Sequence, residues 1–175
     1  MSAKGIRDID VIRTFVLQGT LNFTRYFFKI RQKRKFVIGK HHREIAAALD
    51  KVLCGEITRL IINIAPRYGK TELAVKNFIA EGLAINPKAK FIHLSYSDDL
   101  ARDNSRGVQD IINEPEYRRI FPATIPTSTN TKKWYTTEGG GLYAVSSAGQ
   151  VTGFGAGLMK KKTTNWQKKL KNLMG

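Results

Sequence analysis

Cysteine is almost missing from this chain of 175 residues, where Cys54 stands alone. A single thiol excludes a disulfide framework and a cysteine-based zinc site within one chain. It reads instead as a small apolar residue, buried or half-buried. Long apolar runs are missing too. No window approaches about 18 uncharged apolar residues, so nothing reads as a membrane span. The opening MSAKGIRDID has no apolar core of signal-peptide length. The expectation is an intracellular, soluble protein that is not secreted and does not engage a membrane. Acids are scarce, with 14 Asp and Glu against 30 Lys and Arg, a net charge of +16. Residues 160–175 hold six Lys and no acid, which leaves 24 basic and 14 acidic groups before them, a net +10. The basic bias is therefore not confined to the tail. Phosphates attract clustered Lys and Arg, so nucleic acid or another polyanion is the expected partner, with a merely solvated basic surface as the alternative.

What is present is enough for one core. At 42% hydrophobic and 10% aromatic the chain reads as globular, one domain with a short appendage. Residues 7–17 place Ile9, Ile12, Val16 and Leu17 at helical spacing, and Gly19 ends that pattern. A second helix starts at Asn22 or Thr24. Its stripe is Phe23, Tyr26, Phe27 and Ile30, and Arg31, Lys33, Arg34 and Lys35 crowd its end. That basic end either touches DNA phosphates or is solvated, where cations suit the helix dipole, and a membrane-surface helix is a further reading that the short aromatic stripe disfavours. Residues 42–56 form a third helix on Ile45, Leu49, Val52 and Leu53, with Gly55 as its cap.

Residues 59–65, RLIINIA, are a near-continuous apolar run and read as a strand buried on both faces. Helical period returns over 71–85, a strand follows over 88–97, and then a helix that Ser97 or Asp98 can cap and that stops before Pro115. Alternating strands and helices argue for parallel pairing with crossover helices. Residues 122–133 are a Pro- and Thr-rich loop. KWYTTEGGGLYAVSS reads as a hairpin around Gly139, Gly140 and Gly141, and AGQVTGFGAGL as a glycine-rich loop.

The chemistry is concentrated in APRYGKT, residues 65–71, with Glu72 following. A phosphate-binding loop needs backbone N–H groups aimed at phosphates, a Lys between them and a hydroxyl for Mg²⁺, all at the start of a helix. Gly69 allows close backbone approach, Lys70 suits the phosphates and Thr71 the metal. Ala65, Pro66, Arg67, Tyr68 and Glu72 complete the candidate ATP-binding stretch. An Arg held inside such a loop, here Arg67, could reach the γ-phosphate and stabilise charge during phosphoryl transfer, with a surface Arg on a turn as the alternative. The full pattern G-x-x-x-x-G-K-[ST] would place its first Gly at 64, where this chain has Ile64. An ordinary turn before a Thr-started helix is the other reading of these residues.

HHREIAAALDKVLCGEITRLIINIAPRYGKTELAV resembles the start of the ATPase domain of tailed-phage terminase large subunits, the DNA-packaging motors. So do residues 93–122 and the glycine-rich segment 139–157. The likeness runs over roughly residues 20–159. That family uses a variant loop without the leading Gly and with an Arg before the GK[ST]. The resemblance implies an α/β, P-loop NTPase-like fold with a mostly parallel sheet, flanking helices and additional N-terminal helices. It implies a helical segment over 1–40, a partial ATPase domain over 41–159 and an atypical basic tail over 160–175. It also implies ATP and Mg²⁺ as ligands, with Lys70 on the phosphates, Thr71 on the metal and Arg67 as the Arg supplied within the chain. Adenine contact in the family comes from the region matching His41, His42 and Arg43. Implied partners are double-stranded DNA, a portal protein and a small terminase subunit, in the cytoplasm of a bacterial host.

The likeness breaks after Met159. The family continues there with an apolar strand ending in paired acids and a Glu that orients water. This chain has KKKTTNWQKKLKNLMG, without Asp or Glu. Asp98–Asp99 and Glu114–Glu116 are poor substitutes, since the first pair opens a helix and the second flanks Pro115. The family's nuclease domain has no counterpart. The expectation is a sheet incomplete on its C-terminal side, a truncated or frameshifted origin or else a genuine basic helix on Trp166, Leu170, Leu173 and Met174, and nucleotide binding with poor hydrolysis. A non-catalytic nucleotide- or DNA-binding remnant and a helicase-like ATPase are the competing readings. DNA contacts are expected on phosphates, weakening with salt.

Overall fold

In a computed structural model of the chain, residues 8–147 and 154–155 are described. Most of the glycine-rich segment and the whole basic tail lie outside them. Three helices come first: α1 Asp8–Val16, α2 Thr20–Gln32 and α3 Lys40–Leu53. After the loop at 54–71, a π-helical segment Glu72–Asn77 runs directly into α4 Phe78–Ile85. Then follow β1 Lys90–Ser95, α5 Asp98–Asn113, α6 Pro115–Ile120, β2 Lys133–Tyr135 and β3 Gly141–Ser146.

The helices form because their apolar residues recur at three- and four-residue spacing and meet a shared core. The rings of Phe23 and Phe27 on α2 lie tilted with centroids 4.6 Å apart and contact Tyr117 of α6 and Phe121 just after it. Ile79, Leu83, Val108, Ile111 and Ile112 close the cluster from α4 and α5. Each such side chain contributes roughly 1.5–3 kcal/mol by leaving water. The Tyr117 hydroxyl would be costly there if unpaired, and it donates to the Ala80 carbonyl at 2.8 Å. Both N-terminal helices share this core: Val16 and Phe23 belong to it, and Arg13 donates to the Ile120 carbonyl.

Local caps set several boundaries. The Ser97 hydroxyl accepts from the Leu100 amide at 3.2 Å, and Asp98 and Asp99 occupy the first turn of α5, as expected. Asp98 also accepts from the Ser146 amide at 2.9 Å, which joins the start of α5 to the end of β3. Hydrogen bonding from the Ser146 side chain, and then from its amide, holds the Asp98 carboxyl below its ordinary value. Pro115 opens α6 rather than only ending α5. Gly55, at φ +73, follows the last turn of α3 in the left-handed conformation expected of it. Cys54, expected to be at least half-buried, is exposed, because it sits at that helix end and faces away from the core. Helix α2 begins earlier than expected, at Thr20. The reason is tertiary: Asp50 of α3 accepts the Thr20 amide at 2.8 Å and caps α2 from outside.

Among the described residues there is one sheet, in the order β1-β3-β2. Its first pair is parallel, Lys90 to Ser95 against Gly141 to Ser146. Its second is antiparallel, the hairpin expected from the sequence. The chain is α/β, but this small sheet is mixed, not mostly parallel. Among the described residues one crossover, through α5, α6 and β2, brings two parallel strands together. The strand expected at 59–65 does not form either. Those residues are extended, and Leu60, Ile62 and Ile64 pack on Ile45, Leu49 and Leu73. No other strand lies beside them among the described residues, so no ladder exists and Ile61 is 86% exposed.

Candidate functional site

The extended segment delivers the chain to a sharp turn at 66–69, and helical backbone begins at Lys70. Two left-handed residues make the turn, Arg67 at φ +69 and Gly69 at φ +74. Arg67 holds a conformation that costs a side-chain-bearing residue roughly 1–2 kcal/mol. Gly69 is required twice over. Its φ disfavours any side chain, and a Cβ there would meet Nε2 of His42 at 2.8 Å. Ile64, Ala65, Pro66, Arg67, Gly69, Lys70, Thr71 and Glu72 line one cleft of about 540 Å³. Tyr68 is 54% exposed and stands outside that lining.

Seven of the eight candidate residues are thus brought to one cleft. Its donor set suits a polyphosphate. Arg67 and Lys70 supply two exposed cations, and Thr71 has a hydroxyl that makes no capping hydrogen bond. Left-handed backbone at Arg67 and Gly69 ahead of a helix is compatible with an anion-binding nest, in which successive amides turn to one side. The π-type hydrogen bonding over Glu72–Asn77 directly behind it is uncommon, and such segments concentrate at functional sites.

Glu72 is engaged elsewhere. Its carboxylate pairs with Arg31 of α2 at 3.2 Å and accepts from Asn77 at 2.9 Å. The side chains of that ion pair are mostly buried, so breaking it by removing one partner would strand a charge. Of the acids considered from sequence, Glu116 also has structural partners, and a buried acid that the sequence did not single out, Glu81, stands apart from the cleft. Glu116 accepts from the Tyr26 hydroxyl at 2.7 Å and from Arg119. Glu81, buried against Thr20 and Asp50, leaves Oε2 without a partner, and burial first, then the Asp50 charge, raises it to about 8.

The residue that sequence reasoning undervalued is His42. Its Nδ1 accepts the Gly39 amide at 2.9 Å, and its Nε2 lies 2.9 Å from the Tyr68 carbonyl. Because Nδ1 accepts, the proton of the neutral ring is on Nε2, which donates to Tyr68. Burial, with the neighbouring His41, holds this imidazole below the ordinary histidine value, although the Tyr68 carbonyl opposes the shift. With Nδ1 on the Gly39 amide and Nε2 shared between the Tyr68 carbonyl and Nε2 of His41 at 3.1 Å, His42 faces the loop. Phe36 stacks edge-on against it at 4.9 Å and against Phe28 at 5.1 Å. His41 packs at 3.9 Å from His42 and 5.5 Å from Tyr68. The available signal was local: a polar side chain three residues after Gly39 is spaced to accept the amide that precedes the helix, one half of a capping box.

No protein-family model, no curated protein and no solved structure matches this chain.

Proposed function

We propose that residues 65–71 are a phosphate-binding loop for ATP, and that the chain is the ATP-binding part of a phage terminase large subunit, the motor that packages double-stranded DNA. The observation that carries this reading is the loop itself. Left-handed backbone at Arg67 and Gly69 leads straight into Lys70 and Thr71 at the head of a helix, around one open cleft. Lys70 and the loop amides would take the phosphates, and Arg67 the charge that develops during transfer. Thr71 would hold Mg²⁺, which supplies charge neutralisation on the phosphates when bound. The resemblance of residues 20–159 to the terminase family and the net charge of +16 support DNA as the polyanion. Portal and small-subunit contacts, and the bacterial cytoplasm as the place of action, follow from the same resemblance.

Turnover is proposed to be poor. Glu72 is the carboxylate in the cleft lining, and its attachment to Arg31 and Asn77 keeps it from acting as a base for water. This observation favours a second form of the reading, a remnant that binds nucleotide or DNA without catalysis. One experiment separates the possibilities: ATP binding and phosphate release by the full chain with Mg²⁺, beside Lys70→Ala. We expect the wild type to bind ATP, Lys70→Ala to bind at least about tenfold more weakly, and phosphate release to be slow. Release that Lys70→Ala abolishes would identify an active motor piece. Equal binding by the two proteins, or none by either, would remove the phosphate loop from consideration.

A further inference from the structure

His42 joins two pieces of chain that are far apart in sequence. On one side it accepts from the Gly39 amide and so caps the first turn of α3. On the other it reaches the loop, donating to the Tyr68 carbonyl from directly beneath Gly69. A trans peptide is planar, with C=O and N–H pointing opposite ways. Holding the Tyr68 carbonyl on His42 therefore turns the Gly69 N–H away from the ring. His42 is not part of the cleft lining, whereas Gly69 is. Phe36 completes the support, since a Cβ at Gly69 would also come within 3.4 Å of its ring. This side chain is buried, fixed at both nitrogens and packed on an aromatic ring, so it has little freedom to move.

We propose that His42 is a positioning residue for the phosphate loop: by anchoring the Tyr68 carbonyl to the capped start of α3, it orients the Gly69 peptide for the phosphates of a nucleoside triphosphate. The inference rests on the phosphate-loop reading and adds a residue to it. It differs from an adenine contact, because the recognised part of the ligand is the triphosphate, so an inorganic triphosphate should feel the loss of His42 as ATP does.

Two substitutions separate the two ends of the imidazole. In His42→Asn the amide oxygen replaces Nδ1, which keeps the Gly39 cap, but nothing reaches Tyr68. In His42→Gln the longer amide can donate to the Tyr68 carbonyl. Binding of Mg-ATP and of inorganic tripolyphosphate would be titrated with the full chain, alongside thermal melts. We expect both variants to stay folded, His42→Asn to weaken both ligands by about tenfold, and His42→Gln to recover most of that loss. A loss confined to ATP would make His42 a base contact and overturn the proposal. So would unchanged binding in His42→Asn, or a melting loss in both variants with unaltered affinity of the folded protein. Wild-type protein that binds neither ligand would sink the phosphate-loop reading itself and this inference with it, an outcome distinct from the other three.

Discussion

Phe27 on α2 and Leu94 on β1 are both large apolar residues in regular elements, yet Phe27 is 0% exposed and Leu94 is 58% exposed. The same contrast divides the molecule. On the helical side, Phe23, Tyr117, Ile111, Ile112 and Ile120 are fully enclosed. On the strand side, Ile61, Ile92, Leu94 and Tyr96 meet solvent, the last at 90%. One face of the sheet is covered: Phe91 packs on Gly82 and Phe78, and His93 meets Asn104. The outer edge of β1 has no partner strand among the described residues. An amphipathic helix hides its apolar stripe with any complementary neighbour. A strand also needs a neighbour of a particular kind, another strand in register. The helical core is satisfied by what the described chain contains, and so are β2 and β3, whose Trp134, Leu142 and Val145 are buried, whereas the outer edge of β1 and the segment 59–65 are not. Segment 59–65 makes the point most clearly: its sequence is that of a buried strand, and it remains extended and unpaired.

Substitutions can break or sharpen this contrast. The largest effect is expected from Phe27→Ala, which removes a ring touching Phe23, Tyr26, Tyr117 and Phe121. We expect a loss of about 3–5 kcal/mol in urea unfolding, a large share of a domain's total. A loss under about 1 kcal/mol would mean that this core collapses around the gap and is not the rigid half of the molecule.

A smaller, pH-dependent gain is expected from Glu81→Gln. The Glu81 carboxyl rises from an ordinary 4.5 to about 8, because burial penalises its charge. The native state favours the protonated form, so the protein is most stable with respect to this group below pH 4.5 and loses that stability as pH climbs towards 8. Glu81→Gln should therefore be more stable than wild type at pH 8, by about 1–3 kcal/mol, with the advantage gone near pH 5. Urea midpoints at the two pH values check it. An advantage of equal size at both would show that the charge is not what matters at this position.

The smallest effects belong to the strand side. Ile61→Thr and Leu94→Thr should each change stability by no more than about 0.5 kcal/mol, while reducing self-association seen by light scattering. An exposed apolar strand edge invites pairing between copies, and a polar side chain there weakens it. A cost above about 2 kcal/mol for either would mean that the residue is covered, and the contrast between the two sides would fall.

Much of this arrangement was legible in the sequence because its causes are local. The stripes Ile9–Val16, Phe23–Ile30 and Ile45–Leu53 require helices wherever they pack, the Ser97 hydroxyl can cap only the helix beside it, and Gly139–Gly141 favours a turn between two short strands. The tight turn at 66–69 running into a helix at Lys70 was legible for the same reason, since it is set by consecutive residues and Gly69 supplies the left-handed backbone. Other features depend on residues distant in the chain, and only the tertiary structure decided them. Asp50 moved the start of α2 to Thr20 across 30 positions. Arg31 claimed Glu72 across the α2 interface. His42 reached the loop from 26 residues away. Above all, whether the apolar run at 59–65 becomes a strand is not a property of that run. Its own residues set the extended backbone and the inward face, while a ladder requires the amides and carbonyls of another strand, which the described part of the fold does not bring beside it.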